Sequence, residues 1–251
     1  PVMVDIINTQ KYEIIVTGIG KIDSRQRAAL IFESQGQLEK IHKNVGDEIS
    51  KGEVIAEINS TTYKSAFKLA EASFKKTESD LEDARILLNK NAISSDEFNQ
   101  LNLSFISTTS NYTQARERYE KCSLTAPFDG TIVDMNLTPG EYIAPGQTAL
   151  APVILADMDH MIIEVSVSEN DISKIKVGQN VLINVKAYEG DPLHGKVSLV
   201  GLMINQGSSS FKVTISLMNM DRQLKLGMIA NVSITVKLLN EALVIQRKHI
   251  L

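Results

Sequence analysis

The 251-residue sequence is poor in the residues that mark several common classes of protein. It contains one cysteine, Cys122, so the chain cannot form an internal disulfide bond. Tryptophan is absent and aromatic residues make up only 5%, which argues against a surface that stacks on sugars or nucleic-acid bases. No run of 18 apolar residues is present that could cross a bilayer as a helix.

An excess of positive charge is also lacking. Lysine and arginine number 26 against 30 acidic residues, so the sequence offers no basic footprint for nucleic acid. No serine–histidine–aspartate set or carboxylate pair is suggested by spacing, and we predict no enzyme activity, cofactor or metal site. The histidines are scattered singly, without the spacing of metal ligands: His42, His160, His194 and His249.

What the chain does contain is a short glycine motif that occurs twice, 94 residues apart. Within each copy the glycines are separated by 10 and then 6 residues. Short strand-like pieces lie between turns in which glycine supplies a positive φ. One copy is too small to enclose a core, so we predict that 34–60 and 123–156 pack face to face as one domain. The glycines are Gly36, Gly46 and Gly52 in the first copy and Gly130, Gly140 and Gly146 in the second.

Between the two copies the sequence has helical periodicity. Apolar positions alternate at spacings of three and four, which is typical of a coiled-coil seam, and neither segment contains glycine or proline. Ser94 and Glu97 have the spacing of a capping box, so a short link must join two antiparallel helices. We predict a helical hairpin over 61–122. Its seam comprises Tyr63, Phe67, Ala70, Phe74, Thr77, Leu81, Ala84 and Leu88, then Phe98, Leu101, Phe105, Thr108, Tyr112, Ala115, Tyr119 and Cys122.

From about residue 160 the chain alternates between short strands and glycine turns, which favours a small β-barrel or sandwich. Two segments there invite other interpretations. The segment GDPLHGKV, 190–197, has the glycine and lysine spacing of a phosphate-binding loop. That loop requires a serine or threonine directly after the lysine, and none follows Lys196, so we predict a turn and a strand. Cys122 falls on the seam, where a small buried hydrophobic residue is the preferred interpretation.

Several of these segments carry a family resemblance. VGDEISKGEVIAEI resembles the strand–turn–strand of a biotinyl/lipoyl domain, and LTAPFDGTIVDMNLTPGEYIAPGQ resembles its second half. With the helical hairpin and the later NMDRQLKLGM segment, nearly the whole chain resembles the periplasmic adaptor subunits, or membrane fusion proteins, of tripartite efflux pumps.

The resemblance implies a mainly β fold with an α-helical coiled-coil hairpin. Its parts would be a split lipoyl-like β-sandwich at 34–60 and 123–156, the hairpin at 61–122, and a small β-barrel at 19–33 and 157–236. An incomplete membrane-proximal β-domain would occupy 1–18 and 237–251.

The resemblance also implies a function without chemistry or cofactors. The chain would be a periplasmic adaptor, anchored to the inner membrane by an N-terminal segment absent from this sequence, and would assemble as a hexamer. It would bridge an inner-membrane transporter of the resistance–nodulation–division (RND) class and a TolC-type outer-membrane channel. Two alternatives stay open: an adaptor of an ATP-driven exporter or type I secretion system, and a lipoyl or biotinyl carrier module modified at Lys64.

In this family the hairpin tip docks to the channel through a basic residue, a leucine four positions on and a serine seven further on. Leu87 and Ser94 match, but the basic position holds Asp83, so either Arg85 or Lys90 would supply the charge in another geometry, or the partner channel would differ. Leu88 and Ser94 also have purely structural explanations, as a seam residue and a helix cap. The predicted partner-binding residues are Arg85, Leu87, Leu88, Lys90, Ile93 and Ser94.

Overall fold

The computed structural model describes residues 9–145, 152–188, 190–204 and 209–243. They form two compact units, one from the described residues up to 27 and from 157 onward, and the other from the described residues between 28 and 156. In chain order the elements are β1 (Thr9–Ser24), β2 (Arg27–Leu30), β3 (Gly36–Ile41), β4 (Glu48–Ile49), β5 (Val54–Ile58), α1 (Thr61–Asn89), α2 (Ser95–Glu120), β6 (Ser123–Thr125), β7 (Gly130–Met135), β8 (Tyr142–Ile143), β9 (Val153–Ala156), β10 (His160–Ser168), α3 (Glu169–Ile172), β11 (Asn180–Val185), β12 (Leu193–Ile204), β13 (Ser210–Met218) and β14 (Ile229–Leu243).

The first unit is a closed barrel in the strand order β1–β10–β13–β12–β11–β14. Alternation along β10 places Met161, Ile163 and Val165 inside, where each is almost fully buried. The neighbouring strand follows the same pattern, since Val165 is the register partner of the buried Val213. Burial of such side chains contributes about 1.5–3 kcal/mol each, so the interior holds the barrel together. The sequence prediction of a barrel or sandwich thus resolves to a barrel.

The two ends of the chain were predicted to form a membrane-proximal domain. Their described parts, 9–18 and 237–243, continue β1 and β14 and belong to the first unit. The two strands pair from Thr9–Leu243 to Lys21–Ile229, with irregularities in register near Ile14. The rest of this prediction, 1–8 and 244–251, lies outside the described residues.

The second unit contains two four-stranded sheets, ordered β2–β9–β7–β4 and β6–β5–β3–β8. Each sheet takes strands from both copies of the glycine motif, because β4 pairs with β7 and β3 pairs with β8. The two halves therefore share one core, as the repeat predicted. Ile49 and Ile143, which occupy equivalent positions in the two copies, are both buried in that core.

The glycine turns of the two halves make equivalent cross-connections. Gly46, at φ 96°, donates its N–H to the carbonyl of Ile132 in the other half, at 2.8 Å. Gly140, at φ 86°, donates to Leu38 at 3.0 Å. Both glycines need a left-handed backbone that other residues adopt only with strain, which explains their repetition. Gly146 lies outside the described residues.

One predicted boundary is wrong. Residues 28–33 were placed in the barrel with 19–27, but they belong to the second unit. β2 pairs with β9 at the edge of a lipoyl-like sheet, and Leu30 and Phe32 are buried in the second core. An apolar strand fits either core by pattern alone, and here the long-range partner decides its position.

The helical hairpin also belongs to the second unit, as α1 and α2. Every seam position predicted from the sequence is buried or half-buried, whereas most other positions on both helices are exposed. At about 1.5 Å per residue, the 29 residues of α1 extend for roughly 43 Å. Among the described residues, no helix is both long enough and apolar enough to cross a membrane, and this includes the two helices of the hairpin.

Candidate functional site

The hairpin holds its tip in place through a continuous seam between α1 and α2. Phe74 contacts both Phe105 and Tyr112, at ring-centroid distances of 5.6 and 5.0 Å. Three residues closer to the tip on α1, the hydroxyl of Thr77 shares a hydrogen bond of 2.6 Å with the hydroxyl of Thr108. Aromatic pairs of this kind contribute about 0.5–1.5 kcal/mol beyond the area they bury, so the two helices are fixed in register.

At the base of the hairpin, further contacts join the helices to the lipoyl-like sheets. The hydroxyl of Ser34 donates to the carbonyl of Arg118 at 3.0 Å. The Glu33 carboxylate hydrogen-bonds the Lys121 ammonium at 2.5 Å and raises the pKa of that lysine. Cys122 is buried, as predicted, and this burial raises the pKa of its thiol. The hairpin therefore emerges from a fixed base.

The turn at the tip is a helix-terminating motif that the sequence analysis missed. Asn91 adopts φ 54°, and its N–H donates to Leu88 at 2.9 Å. The next N–H, of Ala92, donates to Leu87 at 2.8 Å. This pair of bonds is a Schellman motif, which satisfies the last carbonyls of α1. Asparagine is the residue after glycine that best tolerates this conformation, and that was the available signal.

The second helix begins with the predicted cap. The hydroxyl of Ser94 accepts the backbone N–H of Glu97 at 3.1 Å, with the extended backbone of an N-cap residue. Asp96 and Glu97 place negative charge in the first turn, where the helix dipole favours it. The Schellman motif and the cap together define the five residues that separate α1 from α2.

The structure brings all six predicted residues to this end of the hairpin. Arg85, Leu87, Lys90 and Ser94 are exposed, and we call these four the tip surface. The other two, Leu88 and Ile93, are half-buried beneath it. Leu87 is 42% exposed, which places it beside the seam rather than in it.

Charge at the tip is mixed. The guanidinium of Arg85 lies 3.9 Å from the Glu82 carboxylate, and both side chains are largely exposed, so this ion pair is weak. Asp83, which replaces the expected basic residue, is exposed one turn below Leu87. Ile86, which the sequence analysis did not select, is exposed beside Leu87 and adds apolar area.

The remaining sequence candidates do not join a site. Lys64 lies on the first turn of α1, whereas a carrier domain displays its lysine in a tight turn between strands. Lys196 lies within β12, with no helix N-terminus after it to hold a phosphate. No metal-binding group of histidine, cysteine or acidic residues occurs within the described ranges, and His249 lies outside them.

The outward sides of both helices carry a feature that the sequence analysis also missed. Residues 98–115 of α2 contain no charged residue, although α1 carries charges along most of its length. Leu103 and Ile106 are 65% and 55% exposed within that stretch. Exposed stripes with coiled-coil spacing run along α1 through Ser65, Leu69, Ala72, Lys76, Ser79, Asp83 and Ile86, and along α2 through Asn99, Leu103, Ile106 and Ser110, where the half-buried Thr113 ends the stripe.

Comparison with known families supports the architecture. Residues 26–152 match the family model described as a CzcB-like barrel-sandwich hybrid domain. Residues 162–237 match the model described as a CusB-like β-barrel domain. The first matched segment ends and the second begins on either side of the boundary between the two structural units, which lies between residues 156 and 157.

Individual relatives agree with this assignment. The cobalt-zinc-cadmium resistance protein CzcB of Cupriavidus metallidurans is 29% identical over 220 residues, which cover 79% of this chain and 40% of CzcB. The macrolide export protein MacA of Yersinia pestis is 24% identical over 260 residues, which cover 92% of this chain and 70% of MacA. A crystal structure of a MacA–MexA chimera with the Pseudomonas aeruginosa MexA hairpin superimposes with a TM-score of 0.83 at 24% identity, covering 95% and 87% of the two chains.

The fold is mainly β, with a split sandwich, a helical hairpin and a barrel. This combination places the protein in the class of adaptor-like proteins. The chain belongs to the membrane fusion protein family of efflux pumps. The chain spans only part of the length of two curated relatives that it matches. It covers 54% of a protein from Haemophilus influenzae and 40% of CzcB.

Proposed function

We propose that the chain acts as a non-enzymatic periplasmic adaptor between an inner-membrane efflux transporter and a TolC-type outer-membrane channel, and that the tip surface contacts the channel. The observation that carries this proposal is the exposed Leu87 at the far end of a rigid, roughly 43 Å hairpin. Leu87 is 42% exposed, so part of this apolar side chain is not covered by its own chain. A partner that buried it would gain hydrophobic stabilisation.

The transporter is proposed to be of the RND class. Support comes from the matches to the CzcB-like and CusB-like models. The similarity to the macrolide export protein MacA extends over 92% of the chain and keeps an ATP-driven exporter as the second candidate. Purification of the native complex from membranes, followed by identification of the transporter, would separate the two classes.

Self-association into a hexameric ring is the other part of the proposal. The two outward stripes lie on opposite sides of the hairpin, so one copy could offer its α2 to α1 of the next. Head-to-tail contacts of this kind generate rings when the rotation closes. Depletion of charge is the compositional mark of an interface core, which the stretch 98–115 fits. The stretch is also rich in serine, threonine and asparagine, which are poor helix formers, so helix stability alone does not explain its composition.

The docking proposal is tested by photo-crosslinking in cells of the source organism. A photoreactive residue is introduced at Leu87 or Lys90, positions whose side chains make no cap, and the captured proteins are identified. Exposed Lys68, near the base of α1, is the matched control position. We expect an outer-membrane channel to be captured from the two tip positions and not from Lys68.

Two results would contradict the docking proposal. Equal capture of the channel from Lys68 would remove the specificity of the tip surface. Absence of capture from both tip positions in a folded, exported protein would leave Leu87 as an ordinary exposed residue.

A further inference from the structure

The outer face of the barrel carries a groove of about 890 Å³ that the proposed function does not use. His160 of β10 is the register partner of Met218 of β13, and Leu182 of β11 is the partner of His194 of β12. Directly opposed side chains on one face lie about 5 Å apart. These four side chains are exposed and form one row across four adjacent strands, and this row lines the groove.

A second row of side chains lies two residues away along the same strands. Lys196 is opposite Ser216 on one side and Asn180 on the other, and all three line the groove. The alternating neighbours Val181 and Leu217 are buried inside the barrel. The groove is therefore built on a rigid, fully packed wall.

The groove has a surplus of positive charge. Arg25 and Lys196 line it, and neither side chain forms an ion pair with a residue in the described ranges. The Nδ1 of His160 lies 2.8 Å from the Asp157 carboxylate, which orients that ring. One carboxylate lines the groove, that of Glu13, and it accepts a hydrogen bond from the Thr235 hydroxyl at 2.9 Å.

Apolar surface accompanies the charge. Leu182, Met218 and Leu238 all line the groove, and each remains about half exposed. The volume falls within the range of about 300–1,000 Å³ that is usual for small-molecule sites. Apolar surface beside polar groups that orient the ligand is also typical of such sites.

We propose that this groove binds a small organic anion with an apolar body. Its carboxylate, sulfonate or phosphate group would contact Arg25 and Lys196, and its hydrocarbon would lie on Met218 and Leu182. A compact ligand is favoured over a protein strand because the barrel is closed and the strands of this wall already pair on both sides. Recognition must then come from side chains, without the backbone hydrogen bonds that an added strand requires.

The test uses two fluorescent probes with the same aromatic body. One is 1-anilinonaphthalene-8-sulfonate, which is anionic, and the other is N-phenyl-1-naphthylamine, which is uncharged. We expect the unaltered protein to bind the anionic probe saturably. The Arg25→Glu and Lys196→Glu variants should each bind that probe at least about tenfold more weakly than the unaltered protein, since each removes a charged contact. Lys176→Glu changes an exposed lysine outside the groove by the same charge and should alter the affinity less than twofold.

A second measurement locates the probe without relying on substitutions. In proton NMR spectra, the ring signals of His160 and His194 should shift on titration with the anionic probe, whereas those of His42 should not. The proposal is overturned if Lys176→Glu weakens binding as much as the groove variants, because the effect would then be net charge. It also fails if the uncharged probe binds as tightly, or if the groove histidines do not respond.

Discussion

Ser94 belongs to the N-cap of α2 and also to the tip surface, and two substitutions at this residue separate the roles. Ser94→Ala removes the acceptor for the Glu97 N–H, so the free energy of unfolding should fall by about 1 kcal/mol. Ser94→Asp keeps a capping oxygen and should preserve stability within about 0.5 kcal/mol. We expect Ser94→Asp to reduce capture of the channel from Leu87, because it adds a negative charge to the docking surface. Urea unfolding and crosslinking yields measure the two effects, and unchanged stability of Ser94→Ala would contradict the capping role.

Asn91 is the residue whose backbone conformation ends α1. Its φ of 54° is left-handed, which costs a non-glycine residue about 1–2 kcal/mol and a β-branched residue more. Asn91→Gly should therefore leave the free energy of unfolding unchanged or raise it slightly, whereas Asn91→Val should lower it by about 1–2 kcal/mol. Urea denaturation of both variants gives the comparison. Equal stability of the two would mean that the turn changes conformation freely.

At the scale of elements, the hairpin was predictable because its signal is local and repeated. Alternating spacings of three and four over both segments identify the seam, and each predicted seam residue is buried or half-buried. The assignment of β2 failed because β9, its partner, lies more than 120 residues away and no local pattern records that pairing. The barrel groove was missed for the same reason, since His160 and Met218 become neighbours only through strand register.

The hairpin also provides a matched pair of substitutions on one helix. Phe74 is half-buried and contacts two rings of α2, so Phe74→Ala should lower the free energy of unfolding by about 2–3 kcal/mol, below the cost for a fully buried phenylalanine. Leu69 lies on the outward stripe, and Leu69→Ala should change stability by less than about 0.5 kcal/mol. Thermal or urea unfolding followed by helix circular dichroism measures both. A similar loss from Leu69→Ala would show that its side chain is buried in solution.

At the scale of the whole molecule, the chain is built by nested insertion. β1 and β14 begin and end the barrel, and the lipoyl-like unit is inserted between β1 and β10. That unit is itself interrupted by the hairpin, whose antiparallel helices return the chain to its starting point. The cross-connections between Gly46 and Ile132 and between Gly140 and Leu38 close the two halves across the insertion. Each unit thus completes its own core, which leaves the outer sides of the hairpin free for other contacts.

Those outer sides make assembly a testable property of the whole molecule. Leu103→Glu places a charge in the charge-free stretch of α2, where an adjacent copy would have to bury it, and burial of an unpaired charge is strongly unfavourable. Sedimentation at several protein concentrations should therefore show at least about tenfold weaker self-association, with the helix content unchanged. Val177→Glu is the matched control, because Val177 is 64% exposed in the barrel unit and lies outside both stripes. Self-association that survives Leu103→Glu, or that Val177→Glu weakens equally, would place the contact between copies elsewhere.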